Sequence, residues 1–202
     1  MDIFRFKHFF AGHSFRSGRR VLSTLLLAAL TLVIFAGDTL NAQAYDLTKV
    51  KNKSFEKDTN GDGVPNSWTP SNLDPGDKRV CNQAYAGSCS FKLVTDGSIK
   101  YIWQETLYSS GPAGIIATLS AWTKGTGLSG GGDVRVYMYF YYTGGGSDSY
   151  GFIIPSGTTA WTYHEASGAA TEAFDSMDIY VYIDEDAGKA WVDQVKLTAV
   201  AP

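Results

Sequence analysis

The chain has 202 residues, of which 44% are hydrophobic, 14% aromatic and only 18% charged, with 22 Gly, 6 Pro and 2 Cys. That length can bury a real core in one domain; the aromatic content argues against disorder, and two cysteines exclude a disulfide-rich miniprotein. The 20 acidic residues against 17 basic ones, a formal charge of −3, disfavour a nucleic-acid binder.

Residues 1–20 are basic, with Arg5, Lys7, Arg16, Arg19 and Arg20. An uncharged apolar run, Val21 to Ala36, follows, and then Ala42-Gln43-Ala44. This order reads as a secretory signal peptide, residues 1–44, cleaved after Ala44. An uncleaved anchor is the alternative, although 16 residues are short against the roughly 20 of a spanning helix. The expectation is bacterial-type export to the extracellular space or cell surface, with membrane contact only through an uncleaved segment. Residues 45–202 are expected to form a single domain. Without the leader, 12 basic and 18 acidic residues remain, a formal charge of −6, and the aromatics become 12 Tyr, 5 Trp and 5 Phe. Tyr and Trp are amphipathic, so a secreted domain this skewed can display aromatics as well as bury them.

The first strand is expected around Phe55 and Glu56. Asp58, Asn60, Asp62, the Val64 carbonyl and Asn66 then fall at positions 1, 3, 5, 7 and 9 of a loop with Gly63 at position 6. That is most of an EF-hand-type calcium loop. Position 12 is Thr69 rather than Glu, and Pro65 intervenes, so this is no EF-hand. The competing reading is a cluster of Asp/Asn/Gly turns. Further on, Cys81 and Cys89 form an even pair in an exported chain, which favours a disulfide. Metal thiolates are the rival reading.

Period-two alternation then marks strands at Ser90–Val94, Lys100–Leu107, Gly114–Lys124, Val134–Thr143, Ser149–Pro155, Thr158–His164, Asp178–Asp184 and Ala190–Leu197. Gly-rich loops at 125–133 and 143–149 separate some of them, and Asp184-Glu185-Asp186 reads as a hairpin turn. Many short strands without helices predict an all-β, two-sheet antiparallel β-sandwich. In Val134–Tyr142, Val134, Val136, Met138 and Phe140 form a core face, and Arg135, Tyr137, Tyr139 and Tyr141 face away. In the 178–184 strand, Ile179, Val181 and Ile183 face the core, while Asp178, Tyr180, Tyr182 and Asp184 face away. Pyranose rings pack on aromatic rings, and Tyr, Arg and Asp bond sugar hydroxyls. Arg135, Tyr137, Tyr139, Tyr180 and Tyr182 are therefore candidate carbohydrate contacts. Cross-strand packing of the same rings is the structural alternative. In the last strand, Asp193 is read as sharing a core face with Trp191, Val195 and Leu197, where a carboxylate needs a partner.

Several of these segments resemble a known pattern: Asn52-Lys53-Ser54-Phe55-Glu56 with the Asp58–Trp68 loop, Ala86–Phe91, Trp103-Gln104, Leu119–Lys124, and Trp191-Val192-Asp193-Gln194-Val195-Lys196-Leu197. Together they are similar to carbohydrate-binding modules of the family 4, 9 and 22 kind, within the galactose-binding-like β-jelly rolls. The resemblance implies a jelly roll, glycan binding on a concave sheet face, and a structural Ca²⁺ held by Glu56 and Asp193 near the meeting of the first and last strands. The sequence departs from the family at Gln194, where a second Asp is frequent.

An enzyme has little support. His164 is the one histidine after the leader, and no nucleophile signature lies beside it. The expectation is a secreted, non-catalytic carbohydrate-binding module with structural calcium. The alternative is a structural subunit of a surface layer, matrix or fibre, whose tyrosines contact surface proteins or further copies of the chain.

Overall fold

The computed structural model describes residues 50–105 and 110–200, together with the backbone of Ala44 and Tyr45. The expected signal segment lies outside the described residues except for the backbone of Ala44. The strands are β1 (Ala44–Tyr45), β2 (Thr69–Ser71), β3 (Lys78–Val80), β4 (Ser90–Val94), β5 (Lys100–Glu105), β6 (Ile116–Ser129), β7 (Val134–Tyr142), β8 (Ser147–Ile153), β9 (Gly157–Ala169), β10 (Phe174–Ile183) and β11 (Ala187–Val200). One sheet has the order β3-β4-β11-β6-β9, with β1 also on β11, and the other the order β2-β5-β10-β7-β8. Every pairing in the two sheets is antiparallel. The expected all-β sandwich is what these residues form.

Alternation builds the core. Phe91 and Leu93 of β4, Leu119 and Ala121 of β6, and Val195 and Leu197 of β11 meet Ile102 of β5, Val136, Met138 and Phe140 of β7, and Ile179 and Val181 of β10. All are 1% exposed or less, and each large side chain so buried contributes about 1.5–3 kcal/mol. The inward faces read from β7 and β10 are the observed ones.

Three local expectations are corrected. Residues 55 and 56 lie in no strand. Asn52 and Phe55 have φ of 48° and 56°, and this left-handed backbone is incompatible with a continuous strand. Phe55 instead plugs the core end beside Trp68 and Phe91, at ring-centroid distances of 5.2 and 6.0 Å. Second, β6 continues through Gly125 to Ser129, with its register to β9 shifting around Gly125. Third, Trp191 and Asp193 do not share a face with Val195 and Leu197. The β11–β6 register shifts between Asp193 and Lys196, and Gln194 has φ 52°. The extra residue of this bulge reverses the alternation. Val192 and Val195 both point inward, while Trp191 and Asp193 lie on the outer face, covered by other side chains and a loop.

Candidate functional site

The outer face of the β2-β5-β10-β7-β8 sheet is a grid fixed by register. Trp103, Tyr180, Tyr137 and Gly151 lie abreast on β5, β10, β7 and β8. Tyr101, Tyr182, Arg135 and Ile153 form the next row on one side, and Glu105, Asp178, Tyr139 and Ser149 the row on the other. Ser176, Tyr141 and Ser147 follow. All five sequence-predicted carbohydrate contacts are thus on one face. Tyr101 and Trp103 were missed. Their strand hides its polarity, because Lys100 and Gln104 point inward and the aromatics outward. Lys100 can be buried because its ammonium meets Asp74 at 2.6 Å, Asp77 at 3.4 Å and Asp96 at 2.8 Å. Gln104 is used on Lys51 and Ser67, tying the entering chain to β5.

The rings form a ladder rather than a flat pavement. Tyr180 stacks on Trp103 at 6.1 Å and 16° and on Tyr137 at 5.1 Å and 8°. Tyr139 and Tyr182 approach Tyr137 edge-on, at 5.3 and 6.0 Å. Burial, with neighbouring tyrosines adding, raises the Tyr137 phenol. One face of Tyr137 is taken by Tyr180, so the other turns towards β8. There the ladder has no fourth ring, because the opposing residue is Gly151. A Cβ at Gly151 would lie 2.4 Å from Tyr137 Cβ and from the Val136 carbonyl oxygen, so the backbones approach closely only with glycine. The result is an open cleft of about 490 Å³ whose lining includes Arg135, Tyr137, Tyr139, Ser149, Ile153 and Tyr182. That volume is in the range of small-ligand sites. Arg135 is held by Asp133 through Nε at 3.0 Å and through a second guanidinium contact. The Tyr182 hydroxyl donates to Asp184 at 3.1 Å.

The seven expected calcium ligands do not form one site. Asp58 accepts the Gly61 and Gly63 N–H groups, and Asp62 accepts Asn60 Nδ2 and the Val64 N–H. Asn66 Oδ1 accepts the Thr59 N–H. The side-chain oxygens of the 58–66 loop therefore bond donors of their own loop, in Asx turns. A calcium loop needs its oxygens to converge on one point. Glu56 and Asp193 are drawn together elsewhere, by the 81–89 loop that the Cys81–Cys89 disulfide closes. Glu56 Oε1 accepts the Ser88 and Cys89 N–H groups, and Asp193 Oδ2 accepts those of Tyr85 and Ala86. Asp193 Oδ1 accepts the Gln194 N–H. Among the described residues no group of three or more His, Cys, Asp and Glu is placed to hold a metal.

A second aromatic group lies on the opposite sheet. Tyr85 of the disulfide loop stacks on Trp122 at 3.6 Å and 10°, with Trp161 and Tyr163 beside them. Lys124 reaches Gln83 at 2.7 Å and lies 5.5 Å from the Trp191 ring. This cluster anchors the loop. His164 stacks on Phe152 at 5.2 Å, and burial lowers its pKa.

No protein-family model matches the chain, and no curated protein matches it. Solved structures do. A family 61 carbohydrate-binding module in complex with β-1,4-galactotriose is 20% identical, with 74% of this chain and 97% of that one covered and a TM-score of 0.50. The CBM22-1 xylan-binding domain of Paenibacillus barcinonensis Xyn10C is 14% identical, with coverage of 74% and 93% and a TM-score of 0.52. A Stig cyclase, Fisc from Fischerella sp. TAU, in complex with an indole compound, is 14% identical, with coverage of 75% and 96% and a TM-score of 0.55. The chain shares its β-sandwich fold with these carbohydrate-binding modules, the fold that the sequence resemblance implies. The same fold carries a cyclase, so the site and not the fold must argue function.

Proposed function

We propose that the chain is a non-catalytic, exported glycan-binding domain that seats a sugar ring in the β7–β8 cleft, as the next rung after Tyr137. The observation that carries this reading is a stacked ladder, Trp103–Tyr180–Tyr137, ending at a glycine with an open cleft over it. An apolar sugar face would pack on Tyr137, and Arg135, Ser149 and Tyr182 would supply hydrogen bonds at the rim. Arg135 is already paired with Asp133, and Glu105, Asp178 and Asp184 share the face. That charge balance favours neutral polysaccharides over uronic or sulfated ones. Export is supported by the leader-like sequence and by the disulfide.

A structural calcium ion is part of this reading only at Glu56 and Asp193. Asp193 is 0% exposed. Burial raises its carboxyl, backbone N–H groups oppose this, and Glu56 adds to the rise. A divalent cation would relieve that repulsion, with backbone carbonyls and water completing the roughly six to eight oxygens it requires.

Affinity electrophoresis against a panel of neutral and acidic polysaccharides tests the function. The expected result is retardation by at least one neutral polysaccharide, abolished in Ser149→Trp. That variant fills the cleft from an exposed edge-strand position and leaves the core untouched. Retardation unaffected by Ser149→Trp, or seen only with acidic polysaccharides, refutes the cleft. No retardation, with large assemblies on sizing, favours a structural subunit instead.

A further inference from the structure

Asp178 sits beside the ladder, between Glu105 on β5 and Tyr139 on β7. It is 8% exposed, and its Oδ1 has no hydrogen-bond partner. Among the described residues its Oδ2 takes one long bond, of 3.4 Å, from the Tyr180 hydroxyl. Other acids here are treated differently. Asp77 accepts the Asp74 and Val94 N–H groups and faces the Lys100 ammonium. Asp193 takes three backbone N–H groups. Asp148 accepts the Tyr142 and Thr171 hydroxyls. An under-satisfied buried carboxylate in a candidate binding face calls for a functional explanation. Glu185 is also buried with a free oxygen, but it lies in the β10–β11 turn, away from the ladder.

The Tyr180 hydroxyl that meets Asp178 also lies 3.1 Å from the Tyr141 hydroxyl. We infer that Asp178, Tyr180 and Tyr141 form a hydroxyl relay whose direction is set by a proton on Asp178, and that this relay makes glycan affinity depend on pH. The inference rests on the glycan reading above. With Asp178 ionised, Tyr180 donates to the carboxylate and Tyr141 donates to Tyr180. Tyr141 then presents only an acceptor to the face. With Asp178 protonated, the carboxyl donates to Tyr180, Tyr180 donates to Tyr141, and the Tyr141 proton is released towards the face. Tyr141 stacks on Tyr139, which lines the cleft, so the reversal occurs next to the proposed sugar.

Among the described residues the groups facing Asp178 are Glu105 from β5, Tyr139 and Tyr141 from β7, and Tyr180 from its own strand, and none of these is a cation. Burial, and then the Glu105 charge, push the Asp178 carboxyl up to about 6, so the relay reverses in a mildly acidic range. A glycan oxygen that accepts the released Tyr141 proton binds the protonated state of the relay more tightly, and so raises the Asp178 carboxyl further. Affinity is then highest below the free-protein value and falls as pH rises through the bound value. A shift of one unit on binding corresponds to a loss of about tenfold.

Isothermal titration calorimetry at steps from pH 5 to 7.5 tests this, using oligosaccharides of the retarded polysaccharide and starting with β-1,4-galactotriose and xylan oligosaccharides. Neutral sugars do not titrate in this range. The wild type is expected to bind about threefold to tenfold more tightly at pH 5 than at pH 7.5. Asp178→Asn and Tyr180→Phe, which keeps the stacked ring, should both bind with a flat profile. Glu105→Gln should move the midpoint to lower pH. A flat wild-type profile overturns the relay but leaves the glycan reading standing. A slope that persists in Asp178→Asn also overturns it, and points to His164 behind Phe152. Failure of every polysaccharide in the panel to bind overturns both.

Discussion

Replacing Asp178 by Asn should stabilise the fold, and by an amount that depends on pH in one direction only. In the folded chain, burial and then the Glu105 charge lift this carboxyl from 3.8 to about 6. The folded value is above the unfolded one, so the folded state holds a proton over an interval in which the unfolded state has lost it. Below pH 3.8 both states are protonated and Asp178 costs nothing. Through the interval the cost grows, and above about pH 6 it levels off. About two units at 1.36 kcal/mol each give a penalty of about 3 kcal/mol at neutral pH, as an upper figure. Asn cannot ionise, and its carbonyl still accepts from Tyr180. Urea unfolding followed by tryptophan fluorescence, at steps from pH 3.5 to 8, measures the difference. Asp178→Asn should match the wild type near pH 3.5 and exceed it by about 1–3 kcal/mol at pH 8. A constant difference across that range, or a variant less stable at pH 8, would refute the reasoning.

Two further outcomes follow from buried charge. Lys100→Met leaves Asp77, whose side chain is 0% exposed, without its ammonium, and should cost about 3–5 kcal/mol in urea unfolding. A loss below about 1 kcal/mol would show that the three aspartates do not depend on Lys100. If the calcium reading of Glu56 and Asp193 holds, millimolar Ca²⁺ raises the melting temperature over that in EDTA. That increment should vanish in Asp193→Asn and persist in Asp62→Asn; an increment absent from the wild type removes the ion from the account.

The strands most legible in the sequence were those with a plain contrast between faces. Along β7 as far as Phe140, and along β10, the inward positions are aliphatic, Met or Phe, and the outward ones mostly Tyr, so alternation alone set both faces. Alternation failed where a local exception broke its premise. On β5 the inward residues include Lys100 and Gln104, which become core-compatible only through Asp74, Asp77, Asp96 and the entering chain. Of these neighbours only Asp96 is near β5 along the chain. On β11 the Gln194 bulge inserts one residue and inverts every assignment on one side of it. A bulge leaves no reliable mark on hydropathy, and Gln is not the residue expected at positive φ. The 58–66 loop carries an ambiguity of a different kind. Asp, Asn and Gly at alternate positions suit an Asx-turn ladder as well as a cation cage, and only the direction of the oxygens separates the two.

The choice between a packing face and a binding face, posed by the sequence as alternatives, divides along the ladder instead. Tyr180 has an aromatic ring on both faces, Trp103 on one side and Tyr137 on the other, and this arrangement is complete as a cross-strand stack. Among the described residues Tyr137 has one stacked ring, that of Tyr180. A purely structural ladder would end against a residue that covers the last ring, as β-branched or aromatic side chains on an edge strand do. Here the edge strand supplies Gly151, flanked by Ser149 and Ile153, so the stack stops at an opening. The interior rings hold the sheet together and position the terminal one. The terminal ring is where an added planar or chair-shaped partner gains the contact that the protein itself does not make.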